Sequence, residues 1–141
     1  MADQVALIAC CARKLSHSAS ARELYQGTLF RYSVRYVEQV LHIPWYVLSA
    51  KWGLVRPDQE LAPYNETLRD ASKSVRRAWA WGVAQALGKQ ELNTGERTWL
   101  LFAGREYRDA LVPLLRGTIC VPLRGLGIGQ QIALLKEWTR G

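Results

Sequence analysis

The stretch Leu48-Ser-Ala-Lys-Trp-Gly-Leu-Val-Arg-Pro-Asp-Gln-Glu-Leu-Ala-Pro-Tyr64 begins as a buried strand and ends as a polar loop. Apolar Trp45 to Leu48 lead into it. From Ser49 onward the chain presents a hydroxyl, an ammonium (Lys51), a turn glycine (Gly53), a guanidinium (Arg56), two carboxylates (Asp58, Glu60) and the phenol of Tyr64. Pro57 and Pro63 lack a backbone donor and disfavour helical conformation in the residues before them. The segment is therefore expected to be a shaped loop hung from the carboxyl end of a strand.

Three further segments share that form. Val5 to Cys10, Thr98 to Ala103 and Thr118 to Val121 are short apolar runs of the kind seen in strands covered on both faces. Helical periodicity fills the intervals. Phe30, Val34, Val37, Val40 and Leu41 recur at spacings of three and four, with Gly27 dividing a short helix from a longer one. The spacing predicts a helix over 71–87 with Val75, Ala78, Trp79, Gly82, Val83, Ala86 and Leu87 inward and Gly88 as its stop. A third helix turns Tyr107, Ala110, Leu111, Leu114 and Leu115 inward and ends at Gly117; a last one turns in Ile132, Leu135 and Trp138. Strands alternating with helices imply right-handed crossovers. The expectation is a single α/β domain over 1–141, three-layered, with a mainly parallel four-stranded sheet in the order 2-1-3-4 and helices on both faces.

Composition narrows the class. A chain of 141 residues, 49% of them apolar, can bury a core without metal or disulfide staples. Its longest apolar runs fall far short of the roughly 20 residues of a membrane span, and the start, Met1-Ala-Asp-Gln before a short apolar strand, lacks the positive leader and small-residue cleavage site of an export signal. No membrane association and a cytoplasmic location are expected. Three cysteines give no even framework, and His17 and His42 have no partner at metal-ligand spacing, so neither a metal nor another cofactor is assigned. A net charge of +7 favours a polyanionic or phosphorylated partner.

In an open parallel sheet, ligands bind outside the carboxyl ends of the strands. The four expected ends supply Cys11 and Lys14; Ser49, Lys51 and the loop to Tyr64; Gly104, Arg105, Glu106 and Tyr107; and Arg124 with the glycine run to Gly129. Each has a plainer explanation: a buried thiol for Cys11, solvated lysines, surface carboxylates for Asp58, Glu60 and Glu106, core packing for Tyr107. Trp52 and Trp81 look less committed to the core than Trp79. The run Gly125 to Gly129 lacks the spacing of the dinucleotide and phosphate-loop fingerprints. Convergence of these groups on one rim is what makes a site of them.

With those residues in view, the chain resembles an uncharacterised bacterial and phage domain family marked by Cys-x-x-Lys, Ala-x-x-Leu-Tyr, Leu-Ser-Ala-Lys-x-Gly-Leu, Pro-Tyr and Ala-Gly-x-x-Tyr. The matches are Cys11 with Lys14, Ala21 with Leu24-Tyr25, Leu48 to Leu54, Pro63-Tyr64, and Ala103-Gly104 with Tyr107. Trp52 stands where that family often has histidine. More distantly, Leu54, Arg56-Pro57 and Pro63-Tyr64 are similar to a section of the YaaA peroxide-stress proteins, a DNA-binding family. The resemblance implies a shared pocket and a nucleic-acid connection.

The leading expectation is a nucleic-acid- or nucleotide-binding protein that processes a nucleobase or its glycosidic bond. Lys14, Lys51 and Arg105 would hold phosphate, Ser49 and Gly129 would shape the pocket, Tyr64 or Tyr107 would contact the base, Gly104 and Arg124 would join the binding surface, and Glu106 or Glu60 would manage protons. One alternative is a non-catalytic DNA-binding stress-protection module. Another is a small-molecule hydrolase or transferase with Cys11 as its nucleophile.

Overall fold

The computed structural model describes residues 3–140. In chain order the elements are β1 (Gln4–Ala9), β2 (Ala19–Ser20), α1 (Ala21–Leu24), α2 (Thr28–Arg35), β3 (Trp45–Ser49), β4 (Gly53–Val55), β5 (Glu60–Leu61), α3 (Lys73–Lys89), β6 (Thr98–Phe102), α4 (Arg105–Leu111), β7 (Thr118–Cys120) and α5 (Ile128–Thr139). A π-helical stretch, Tyr36–Leu41, prolongs α2, and a 3-10 turn, Val112–Leu114, follows α4.

The fold is mixed α/β around a mostly parallel sheet in the order β4-β3-β1-β6-β7. Its four parallel strands are the four read from sequence, in the expected order. The sheet has five strands rather than four, however, because the segment read as a continuous loop after Ser49 turns back. Gly53, at φ +75°, makes the reversal that an L side chain resists, and β4 pairs antiparallel with β3 through Val47↔Val55 and Ser49↔Gly53. The same segment then pairs a second time, Leu61 with Ala19 and Glu60 with Ser20, in a two-stranded ladder with β2. Pro57 and Pro63 bracket β5 without interrupting it, since neither needs to donate within so short a ladder.

Side-chain alternation divides the core. Ala6 and Ile8 of β1 share a buried cluster with Phe30, Val34 and Val37 and with Leu135 of α5. Val5 and Leu7 share another with Ala80, Val83, Leu87 and Leu111. Trp99 is fully buried yet satisfied, its Nε1–H donating to the Arg116 carbonyl at 2.7 Å. Gly117 closes that turn at φ +92°; a methyl group there would collide with the Arg97 carbonyl oxygen.

Helix α3 buries Val83 and Leu87 as expected but departs from the expected stripe elsewhere. It starts at Lys73, where Ser72 Oγ caps the Val75 N–H at 3.2 Å, and it runs past Gly88 to Lys89. Its core stripe is Ala80, Val83 and Leu87, while Val75, Ala78 and Gly82 face solvent and Trp79 is half-buried. Apolar residues occupy both stripes, so periodicity alone could not choose between them. Among the described residues no helix is long and apolar enough to cross a membrane.

Candidate functional site

Because β3, β1, β6 and β7 run parallel, their carboxyl ends share one edge, and the chain leaves that edge through short polar connections. β1 runs out into Cys10 and Cys11, β6 into Ala103-Gly104 and α4, and β7 into Val121 and the turn that carries Arg124. These connections enclose a cleft of about 650 Å³ whose walls also take Gly27, Phe30 and Ser33 from the α2 side. Its charged lining, among the described residues, is Arg69, Arg105, Arg108 and Arg124 against one carboxylate, Glu106. Such an imbalance in a concave surface favours an anion.

Local structure explains how two of these groups are set. Glu106 folds back over Gly104, where a methyl group would lie 2.5 Å from its Oε1. Arg108 has a buried Nε without a hydrogen-bond partner among the described residues, a donor whose desolvation nothing offsets. Tyr107 is buried, packs edge-on against Trp79 at 5.4 Å between ring centres, and points its hydroxyl to 3.3 Å from Cys10 Sγ. The same sulfur accepts from the Ala50 N–H at 3.4 Å. Burial, followed by the nearby Cys10 thiol, raises the Tyr107 phenol far above its ordinary range. Burial also pushes the Cys11 thiol up, outweighing the contrary pull of the Gly27 backbone and of Lys14.

A second polar cluster lies beside the cleft. Ser49 and Tyr64, both buried, place Oγ and OH 2.7 Å apart, and the Tyr64 hydroxyl meets that of Tyr25 at 2.5 Å. Ser49 Oγ also accepts from the Trp52 N–H at 3.0 Å, so the strand end, the turn after it and the loop to Tyr64 meet at one hydroxyl. Lys14 Nζ sits 4.4 Å from the centre of the Tyr64 ring, a cation–π contact that caps the cluster. Burial raises both phenols, Tyr25 to about 12 and Tyr64 beyond that.

The residues expected to converge thus fall into two groups. Cys11, Gly104, Arg105, Glu106, Tyr107 and Arg124 line the cleft. Lys14, Ser49 and Tyr64 build the hydroxyl cluster. The others stand apart. Lys51 does not share a strand face with Ser49, because β3 ends at Ser49; it lies in the following turn, 3.7 Å from Glu66. Glu60 is exposed on β5, and Asp58 pairs with Arg56 at 3.3 Å on the surface. Gly129 is no pocket wall: it lies in the exposed first turn of α5, and Gly125 and Leu126 border the cleft in its place.

Sequence reasoning passed over Arg69, Arg108, Cys10 and Tyr25. Tyr25 carried a signal, ending the Ala-x-x-Leu-Tyr motif. Cys10 was passed over for its neighbour, although a residue directly after a strand shares the strand's alternation. Arg69 and Arg108 look like any solvated arginine until the sheet edge is assembled. Among the described residues, no group of three His, Cys, Asp or Glu side chains is placed to hold a metal ion.

Residues 5–137 match DUF6884, a family of unknown function, and the chain belongs to it, in keeping with its resemblance to an uncharacterised domain family. No curated protein matches the chain.

Proposed function

We propose that the protein binds a nucleotide, free or as a unit of nucleic acid, in the cleft at the carboxyl edge of the sheet. The observation that carries this reading is the ring of Arg69, Arg105, Arg108 and Arg124 around a concavity that holds one carboxylate, Glu106. Guanidinium forks suit phosphate oxygens, and the unpartnered Arg108 Nε adds a donor that an anion would satisfy. Exposed Ile128 and partly covered Leu126 and Ile132 offer apolar surface to a base or sugar. We read the domain as three layers, since the two faces of β1 belong to separate cores that contain different helices; the strand ends are then the open edge. The local similarity to the DNA-binding YaaA proteins supports the same partner, and three free cysteines accord with a reducing, cytoplasmic setting.

Within that cleft Glu106 is the group to manage protons during processing of the base or its glycosidic bond. Glu60 and Lys51 have no part in this scheme, being outside the cleft. The rival reading, nucleophilic attack by Cys11, is disfavoured because burial holds that thiol protonated. A calorimetric titration with nucleoside monophosphates tests the proposal. Micromolar to millimolar binding is expected in the native protein, with about tenfold loss for each of Arg105→Ala and Arg124→Ala, the effect of one charge-assisted hydrogen bond. Absence of any binding, or equal binding by the arginine variants, would overturn it.

A further inference from the structure

A second concavity of about 740 Å³ lies between α3 and α4, and its chemistry differs from that of the cleft. Lys73, Arg76 and Arg77 border it from α3, Asp109 is its carboxylate among the described residues, and Trp81 stands over it with 60% of its surface exposed. Lys73 and Arg77 are exposed. Arg76 is not available in the same way, because its guanidinium donates to the carbonyls of Leu68 and Arg69 at 2.8 Å each. That tie is informative in another respect: Arg69 lines the cleft, so a hydrogen bond links a residue of each concavity. On α4 the consecutive residues Arg108 and Asp109 line the cleft and the groove respectively.

We infer that this groove carries the continuing chain of a single-stranded polynucleotide, one unit of which occupies the cleft. The inference rests on the nucleotide reading above and extends it to substrate class. Cations spaced along a helix suit successive phosphates. An exposed indole suits a base, because every base has a π-face and stacking makes no sequence demand. An ordinary solvated helix face explains the charges but not an exposed tryptophan beside an apolar hollow whose rim is hydrogen-bonded to that of an arginine-lined cleft.

The test compares thymidylate with an oligothymidylate of about a dozen nucleotides, the scale of single-strand sites, by fluorescence anisotropy at several salt concentrations. The oligomer binds at least tenfold tighter than thymidylate, because the second contact is intramolecular. Lys73→Ala with Arg77→Ala weakens the oligomer about tenfold and flattens its log–log salt slope by roughly 1.4, two phosphates at about 0.7 each. Trp81→Ala costs about fivefold to a hundredfold. Thymidylate affinity stays at the native value in each, and Lys73→Arg with Arg77→Lys retains oligomer binding. Equal affinity for monomer and oligomer, or variants that weaken neither, overturns the inference while leaving the cleft reading intact. So does a dimer, seen by sedimentation, that Trp81→Ala dissolves without changing oligomer affinity, since the face would then join copies of this chain. Native protein that binds neither ligand fails the nucleotide reading, and the inference with it.

Discussion

The Tyr64 hydroxyl lies 2.7 Å from Ser49 Oγ, joining the end of the segment that follows β3 to the last residue of that strand. The bond closes a loop of irregular backbone on a buried hydroxyl, and Tyr25, just after α1 and bridged to Lys14, extends it. Tyr64→Phe removes both bonds while leaving Ser49 and Tyr25 buried. A loss of about 1–3 kcal/mol is expected in urea unfolding, the cost of stranding polar groups rather than of the bonds alone. A change within a few tenths of a kcal/mol would mean that water already serves these hydroxyls.

The same cluster makes stability sensitive to base. Burial lifts Tyr25 from 10 to about 12, and Tyr64 higher. A raised phenol favours the folded state while it is protonated, so its contribution is complete below the unfolded value of 10 and is lost as pH climbs through about 12. Unfolding midpoints should therefore fall with rising pH over that window, and Tyr25→Phe should make the fall shallower. A midpoint that stays level to pH 12 in the native protein would contradict the burial of these phenols.

Thiol reactivity separates the cysteines. Cys120 is exposed, whereas Cys11 is partly covered and its thiol is pushed up by burial. Since the thiolate is the reactive form, iodoacetamide near neutral pH should label Cys120 before Cys11, as read by peptide mass spectrometry. Faster labelling of Cys11 would revive the cysteine-nucleophile reading.

Two glycines respond oppositely to an added methyl group. Gly117→Ala forces an L side chain into φ +92° and against the Arg97 carbonyl; backbone strain alone costs about 1–3 kcal/mol, with the collision added. Gly82→Ala meets no described atom within 4 Å and lies mid-helix on the exposed side of α3. It should stabilise by about 1 kcal/mol. Thermal unfolding of the two variants checks both signs.

The parallel strands were legible because each is a short apolar run stopped by a glycine, a proline, a charge or a cysteine. What followed Ser49 was not, since Gly53 and two prolines look alike in a loop and in a tight reversal that pairs twice. The inward stripe of α3 was legible at Val83 and Leu87 but not at its start, where Val75 and Ala78 extend an apolar pattern onto an exposed side. Half of the cleft was visible as polar residues placed just after strands. Arg69 and Arg108 were not, because their role depends on which loops the strand order brings together, and a single arginine carries no mark of that.

Glu106 offers the sharpest discrimination between holding a ligand and transforming it. It is the carboxylate amid four arginines, folded over Gly104. If the cleft takes a phosphate, Glu106→Gln relieves repulsion of the incoming dianion, and thymidylate should bind about fivefold tighter, on the order of 1 kcal/mol at partly solvated separations. If Glu106 also moves a proton, the same variant should lose about 10²- to 10⁴-fold in base release from an oligonucleotide. Tighter binding with lost turnover supports catalysis at this carboxylate; tighter binding with no turnover in either protein marks a binding module. Weaker binding would mean that Glu106 contacts the ligand as an acceptor or orients a guanidinium, and the anion-repulsion account of this cleft would be wrong.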